Sequence, residues 1–140
     1  MAVVLDASAA TQIAIGSEDG LAMQGLFAEG EEILAPDFLQ IECANTFWKY
    51  VRAGELTKEE ALNYYRDSVG LVTRFIRQND LMDEVLASSA HLNHPVYDVI
   101  YLVLARHMAA TLMSFDRKLI DLCIKEGIDC VEPCCANLGS

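Results

Sequence analysis

Four carboxylates in this chain stand where apolar structure would otherwise run on. Asp6 follows the run "AVVL" (2–5), Asp116 follows "TLMSF" (111–115), Asp98 enters the first turn of a hydrophobic helix pattern, and Glu42 lies within "PDFLQIECANTFWKY" (36–50). Carboxylates gathered into one cavity repel and raise one another's pKa unless a cation shares them. A site with only oxygen donors selects Mg²⁺ or Mn²⁺ over zinc.

Each acid also has an ordinary explanation. Asp6 and Asp116 fall between a strand and a helix, where Asp is a good N-cap. Asp98 complements the dipole of the helix it opens. Its face continues through Leu102, Ala105 and Ala109, however, so it points toward an apolar interior and needs a partner. Glu42 lies beyond the first turn of its helix, where capping cannot explain it, and shares a face with Phe38, Asn45, Thr46 and Lys49. It is either a solvated surface residue or a member of the same cavity.

Positioning these groups requires alternating strands and helices. Strand patterns occur at 2–5, 32–35, 71–76, 111–115 and 128–132, with helix-period segments at 7–15, 19–29, 37–53, 57–69, 80–92, 96–109 and 117–126. This alternation predicts an α/β fold with a parallel sheet, whose ligands bind beyond the carboxyl ends of the strands, where Asp6 and Asp116 stand. Thr57 with Glu60 forms a capping-box pattern, and Gly54 and Gly127 stop helices. No repeat or linker divides the chain, which predicts a single domain over 1–133 and a frayed tail, "CCANLGS", over 134–140.

The chain has 140 residues, 53% of them hydrophobic, enough to bury about two thirds of its unfolded surface in one core. Lys+Arg number 10 and Asp+Glu 21, a net charge of -11 that opposes non-specific attraction to nucleic acid or anionic lipid. No basic leader precedes the first apolar run, and no stretch approaches the roughly 20 apolar residues of a membrane span. Of five cysteines, Cys43 and Cys123 sit in amphipathic patterns as small hydrophobes, and "CVEPCC" (130–135) fits no paired zinc spacing. A soluble protein of a reducing cytoplasm is expected.

Four short segments together resemble the PIN-domain ribonucleases, in particular VapC-like toxins of type II toxin–antitoxin systems: "LDAS" (5–8), "PDFLQIECANTFWK" (36–49), "YDVIYLVLAR" (97–106) and "LMSFDRKL" (112–119). The resemblance covers nearly the whole chain. It implies a PIN-like three-layer fold, a central parallel sheet of about five strands flanked by about seven helices. It also implies a Mg²⁺- or Mn²⁺-dependent endoribonuclease, with Asp6, Asp98 and Asp116 as direct metal ligands and Glu42 binding metal or positioning water. Ser8, Asn45 and Ser114 would support them, and a small antitoxin would neutralise the site. "SFD" replaces a commoner Thr-containing motif, and the acidic charge is unusual for an RNA enzyme.

Arg117 and Lys118, at the start of the last helix, are candidates for substrate phosphate, or ordinary solvated charge. His91, His94 and His107 show no acid–base partner, and His94 reads as structural. Position 8 is Ser, not the second Asp of a haloacid-dehalogenase phosphatase, and no "GxxxxGK" loop occurs. The competing reading is a PIN-like module that binds protein without catalysis. "FWKYV" (47–51) spreads large apolar groups too widely around a helix for one buried face, which predicts a homodimer unless the following helix covers them.

Overall fold

The computed structural model describes residues 2–131. The elements run β1 (Ala2–Leu5), α1 (Ala7–Ile15), α2 (Glu18–Gln24), β2 (Glu32–Pro36), α3 (Phe38–Arg52), α4 (Lys58–Gly70), β3 (Arg74–Ile76), a 3₁₀ turn (Gln78–Leu81), α5 (Met82–Leu92), α6 (Val96–Met108), β4 (Thr111–Met113), α7 (Arg117–Lys125) and β5 (Cys130–Val131). The expected five strands and seven helices are therefore present. All strand pairs are parallel, in the order β3-β2-β1-β4-β5.

Helices cover both faces because alternate strand residues point to opposite sides. Val4 and Leu112 enter one core with Val85 of α5, Val99 to Ala105 of α6 and Leu119 of α7. Val3, Leu5 and Met113 enter the other with Ala9, Ala10 and Ile13 of α1, Met23 of α2 and Leu39 of α3. Gly20 lets α2 lie against α1, since a Cβ there would stand 2.2 Å from the Gln12 carbonyl oxygen.

Several local signals act as read. Thr57 and Glu60 form both bonds of the capping box, and Gly54, at φ 78°, takes the left-handed turn after α3. Strand β3 is shorter than its pattern: the Leu71 and Val72 N–H groups turn back to the Ser68 and Val69 carbonyls at the end of α4, and Thr73 bonds Ile33 through its backbone N–H and its side chain. Helix α2 stops at Gln24, where Leu26 and Phe27 turn back to the Met23 and Gln24 carbonyls. Cys134, Cys135 and the tail 134–140 lie outside the described residues. Among those described, no helix is long and apolar enough to cross a membrane.

The expected crowding at "FWKYV" is resolved largely within the chain. Phe47 is buried, with the Tyr50 and Tyr64 rings 6.2 and 5.9 Å away, so α4 covers it. Trp48 remains half exposed under the Arg52 guanidinium, 4.6 Å from the ring centroid. Beside it a groove of about 450 Å³, lined by Val51, Ala61, Leu62 and Tyr65 among others, opens between α3 and α4.

Candidate active site

Strand order reverses direction between β1 and β4, the crevice where open α/β sheets bind ligands. Asp6 follows β1 there and is buried. Its Oδ1 accepts the Ala9 N–H at 3.0 Å and the Ser8 hydroxyl at 2.7 Å, and its Oδ2 accepts the Ser114 hydroxyl at 2.5 Å. The two serines carry the network across to β4: the Phe115 N–H donates to Ser8 Oγ and the Asp116 N–H to Ser114 Oγ, both at 2.9 Å. Ser8 and Ser114 thus both bond the Asp6 carboxylate. Burial raises the Asp6 pKa to about 6, opposed by the bonds from Ser114, Ala9 and Ser8 and reinforced by the Asp116 charge.

Asp116 is the N-cap of α7, accepting the Lys118 and Leu119 N–H groups at 3.0 and 3.4 Å. Asp6 likewise caps α1 through Ala9. The ordinary explanation of both residues is therefore correct, and it does not exclude the other, because their charges meet across the crevice.

Glu42 is not a solvated surface residue. Its Oε1 accepts the hydroxyl of Tyr101, a buried residue of α6, at 2.6 Å. Burial pushes the Glu42 pKa up to about 7; the Tyr101 bond opposes this, and the charges of Asp6, Asp98 and Asp116 each add to it. The Tyr101 phenol is raised well above its usual range, by burial first and then by Glu42.

Asp98 has the partner that its inward-facing position demands: Nε2 of His94, just before α6 begins, lies 2.8 Å from Oδ2. His107 also pairs with an acid, Glu84, which Arg106 bonds as well. Neither pairing is visible in the motif pattern around these histidines. Tyr101 and His94 are the residues that motif reading missed. Same-face spacing was the available signal, since they stand three residues after and four before Asp98.

The other candidates are exposed. Asn45 is exposed on α3. Arg117 bonds Asp121 one turn along α7, at 2.6 Å from Nη2 and 2.9 Å from Nε, so this guanidinium is already engaged by a carboxylate. Lys118 is exposed. A polar cleft of about 530 Å³ opens beside the acids, lined by Ser8, Thr11, Gln12, Asp19, Thr46 and Phe115.

The four acids therefore converge on one region, and two have pKa values raised as crowding and burial dictate. The donor set is all oxygen, which suits a hard divalent cation. In the present arrangement no three His, Cys, Asp or Glu groups among the described residues are gathered tightly enough to hold an ion. Asp6 has both carboxylate oxygens engaged by hydrogen bonds.

No family model matches the chain. It is 25% identical over 123 residues to Ribonuclease VapC3 of Pyrobaculum aerophilum, covering 86% of this chain and 94% of that protein. The crystal structure of PAE2754 from P. aerophilum superposes with a TM-score of 0.67, at 24% identity over 86% of each chain. The fold is PIN-like. VapBC2 of Rickettsia felis, in a crystal structure bound to a DNA fragment from their promoter, matches with a TM-score of 0.63 at 14% identity, over 94% of this chain and 98% of that one. The PIN-like sheet puts Asp6, Ser8, Ser114 and Asp116 at the reversal, with Glu42 and Asp98 brought in by α3 and α6.

Proposed function

We propose that this chain is a divalent-metal-dependent endoribonuclease, the toxin of a toxin–antitoxin pair acting in the cytoplasm. The observation that carries the reading is convergence: Glu42, held by Tyr101, feels the charge of Asp6, Asp98 and Asp116, which come from three other parts of the chain. Similarity to a protein named as a ribonuclease supports RNA as the substrate.

When bound, Mg²⁺ or Mn²⁺ supplies a lowered pKa for water and stabilises charge on phosphoryl oxygens. Asp6, Asp98 and Asp116 would hold it. Ser8 and Ser114 orient Asp6, and His94 orients Asp98, as supporting groups orient metal-binding carboxylates. Glu42, with a pKa of about 7 and one oxygen occupied by Tyr101, can take a proton from water at Oε2 near neutral pH. Asn45 remains proposed as a supporting residue of the acid site, and Arg117 and Lys118 as residues that meet substrate phosphate.

Cleavage of single-stranded or structured RNA by purified protein with Mg²⁺ or Mn²⁺, lost in chelator and regained on adding metal, tests the reading. If no RNA were cleaved under any of these conditions, the chain would instead be a non-catalytic PIN-like binding module.

Partners follow from the same chemistry. The antitoxin proposed for this chain meets an acidic crevice, so its contact segment should carry Arg or Lys in charge-assisted hydrogen bonds. Changing Asp6, Asp98 and Asp116 together to Asn is expected to weaken antitoxin binding by roughly 10-fold or more, measured by calorimetry. Equal affinity would contradict the electrostatic account. We also propose a homodimer through the α3–α4 groove beside Trp48. Light scattering at tens of micromolar should give about twice the chain mass of 15.4 kDa, and a monomer mass would contradict it.

A further inference from the structure

We propose that the exposed ring of Tyr97, backed by Phe38, is a stacking platform for an unpaired nucleobase of the RNA strand lying at the acidic centre. This rests on the ribonuclease reading above. Two contacts join the beginnings of α3 and α6. Tyr101 donates to Glu42, and Tyr97 stacks on Phe38 with ring centroids 5.6 Å apart and planes inclined by 21°. Residues 38 and 42 are one turn apart on α3, and 97 and 101 one turn apart on α6. The aromatic pair therefore stands one helical turn, about 5 Å, from the Glu42 contact. Asp98 follows Tyr97 directly.

The two rings have different surroundings. Phe38 packs against the core formed by α5, α6 and α7 and is held in place. Tyr97 is 59% exposed, although it lies in the first turn of a helix whose next seven residues after Asp98, Val99 to Ala105, are all buried. One of its faces is already occupied by Phe38, so an arriving base would extend an existing stack on a ring that has little freedom left to lose.

Electrostatics gives such a platform its use. With a net charge of -11 and Arg117 bound to Asp121, long-range attraction does little to bring RNA to this crevice. Stacking is indifferent to net charge and accepts any base, at roughly 5- to 150-fold in affinity per stacked base. It also requires the base to be unpaired, which selects loops and single strands over duplex.

The test is steady-state cleavage of unstructured ribo-oligonucleotides with Mn²⁺ by the parent, Tyr97→Leu and Tyr97→Trp proteins. Tyr97→Leu should raise KM roughly 5- to 100-fold with little change in kcat, because stacking holds ground and transition states alike, whereas Tyr97→Trp should keep the parental KM. An abasic site moved along the substrate should, at one position, raise the parent's KM by the same factor, a result that needs no variant, and should leave Tyr97→Leu unaffected. An active parent with an unchanged KM in Tyr97→Leu overturns the platform and leaves the ribonuclease reading intact. So does a Tyr97→Leu protein whose only loss is in self-association or antitoxin binding. A parent that cleaves no RNA removes both.

Discussion

Asp98→Asn is expected to lower RNA cleavage by roughly 100-fold or more while the fold stays intact. The substitution is nearly isosteric, retains an oxygen that can accept from His94, and removes one negative charge from the group that raises Glu42. If Asp98 served only to complement the dipole of α6, the change would cost about 0.3 to 1 kcal/mol and leave cleavage untouched. As a metal-holding carboxylate, its loss should instead stop catalysis with a thermal midpoint close to the parent's, because relief of repulsion offsets the lost dipole term. Turnover on RNA beside a circular-dichroism melt separates the two, and parental turnover would remove Asp98 from the machinery.

The second large effect is on stability against pH in chelator. Asp6 and Glu42 have pKa values raised in the folded state, from 3.8 to about 6 and from 4.5 to about 7. The folded protein therefore binds more protons than the unfolded chain between about pH 4 and 7, and stability falls as pH rises through that window. Both contributions are fully present below pH 4 and lost above pH 7. The shift of buried Asp6 corresponds to about 3 kcal/mol at most. A denaturant midpoint that declines from pH 5 to pH 8, and declines less in Asp6→Asn, is the expected result. A profile that rises over this range, or an Asp6→Asn slope equal to the parent's, would show that the carboxyl groups are not destabilised by the fold. A cation that favours the ionised carboxylates should flatten the parental profile.

Much of this was legible in the chain because apolar periodicity and local punctuation agree. Helix α1 and strand β1 occupy the ranges their patterns define, and Thr57 and Gly54 act at the boundaries they mark. Asp6 and Asp116 could be placed because a strand end in a parallel sheet is a fixed station. Their network could not, since Ser114 and Asp6 are 108 positions apart and meet only when β1 pairs with β4. The same holds for Tyr101 and Glu42, 59 positions apart. His94 was within reach of simple i,i+4 spacing, but Pro95 between it and the helix suggested a turn and obscured the contact. Phe47 reads as one of several apolar groups in excess, and only the packing of α4 shows which of them remains exposed.

The proposed function stands on a divalent cation held by Asp6, Asp98 and Asp116 with Glu42 beside it. Calorimetric titration of metal-free protein with Mn²⁺ at pH 6.5, in buffers of different ionisation enthalpy, tests it without any RNA. Glu42 and Asp6, with pKa values of about 7 and about 6, should surrender protons as metal binds, so the apparent heat should vary with the buffer. Saturable binding with proton release, abolished when Asp6, Asp98 and Asp116 are all changed to Asn, is the predicted result. No binding at millimolar Mn²⁺, or equal binding by the triple variant, would contradict it.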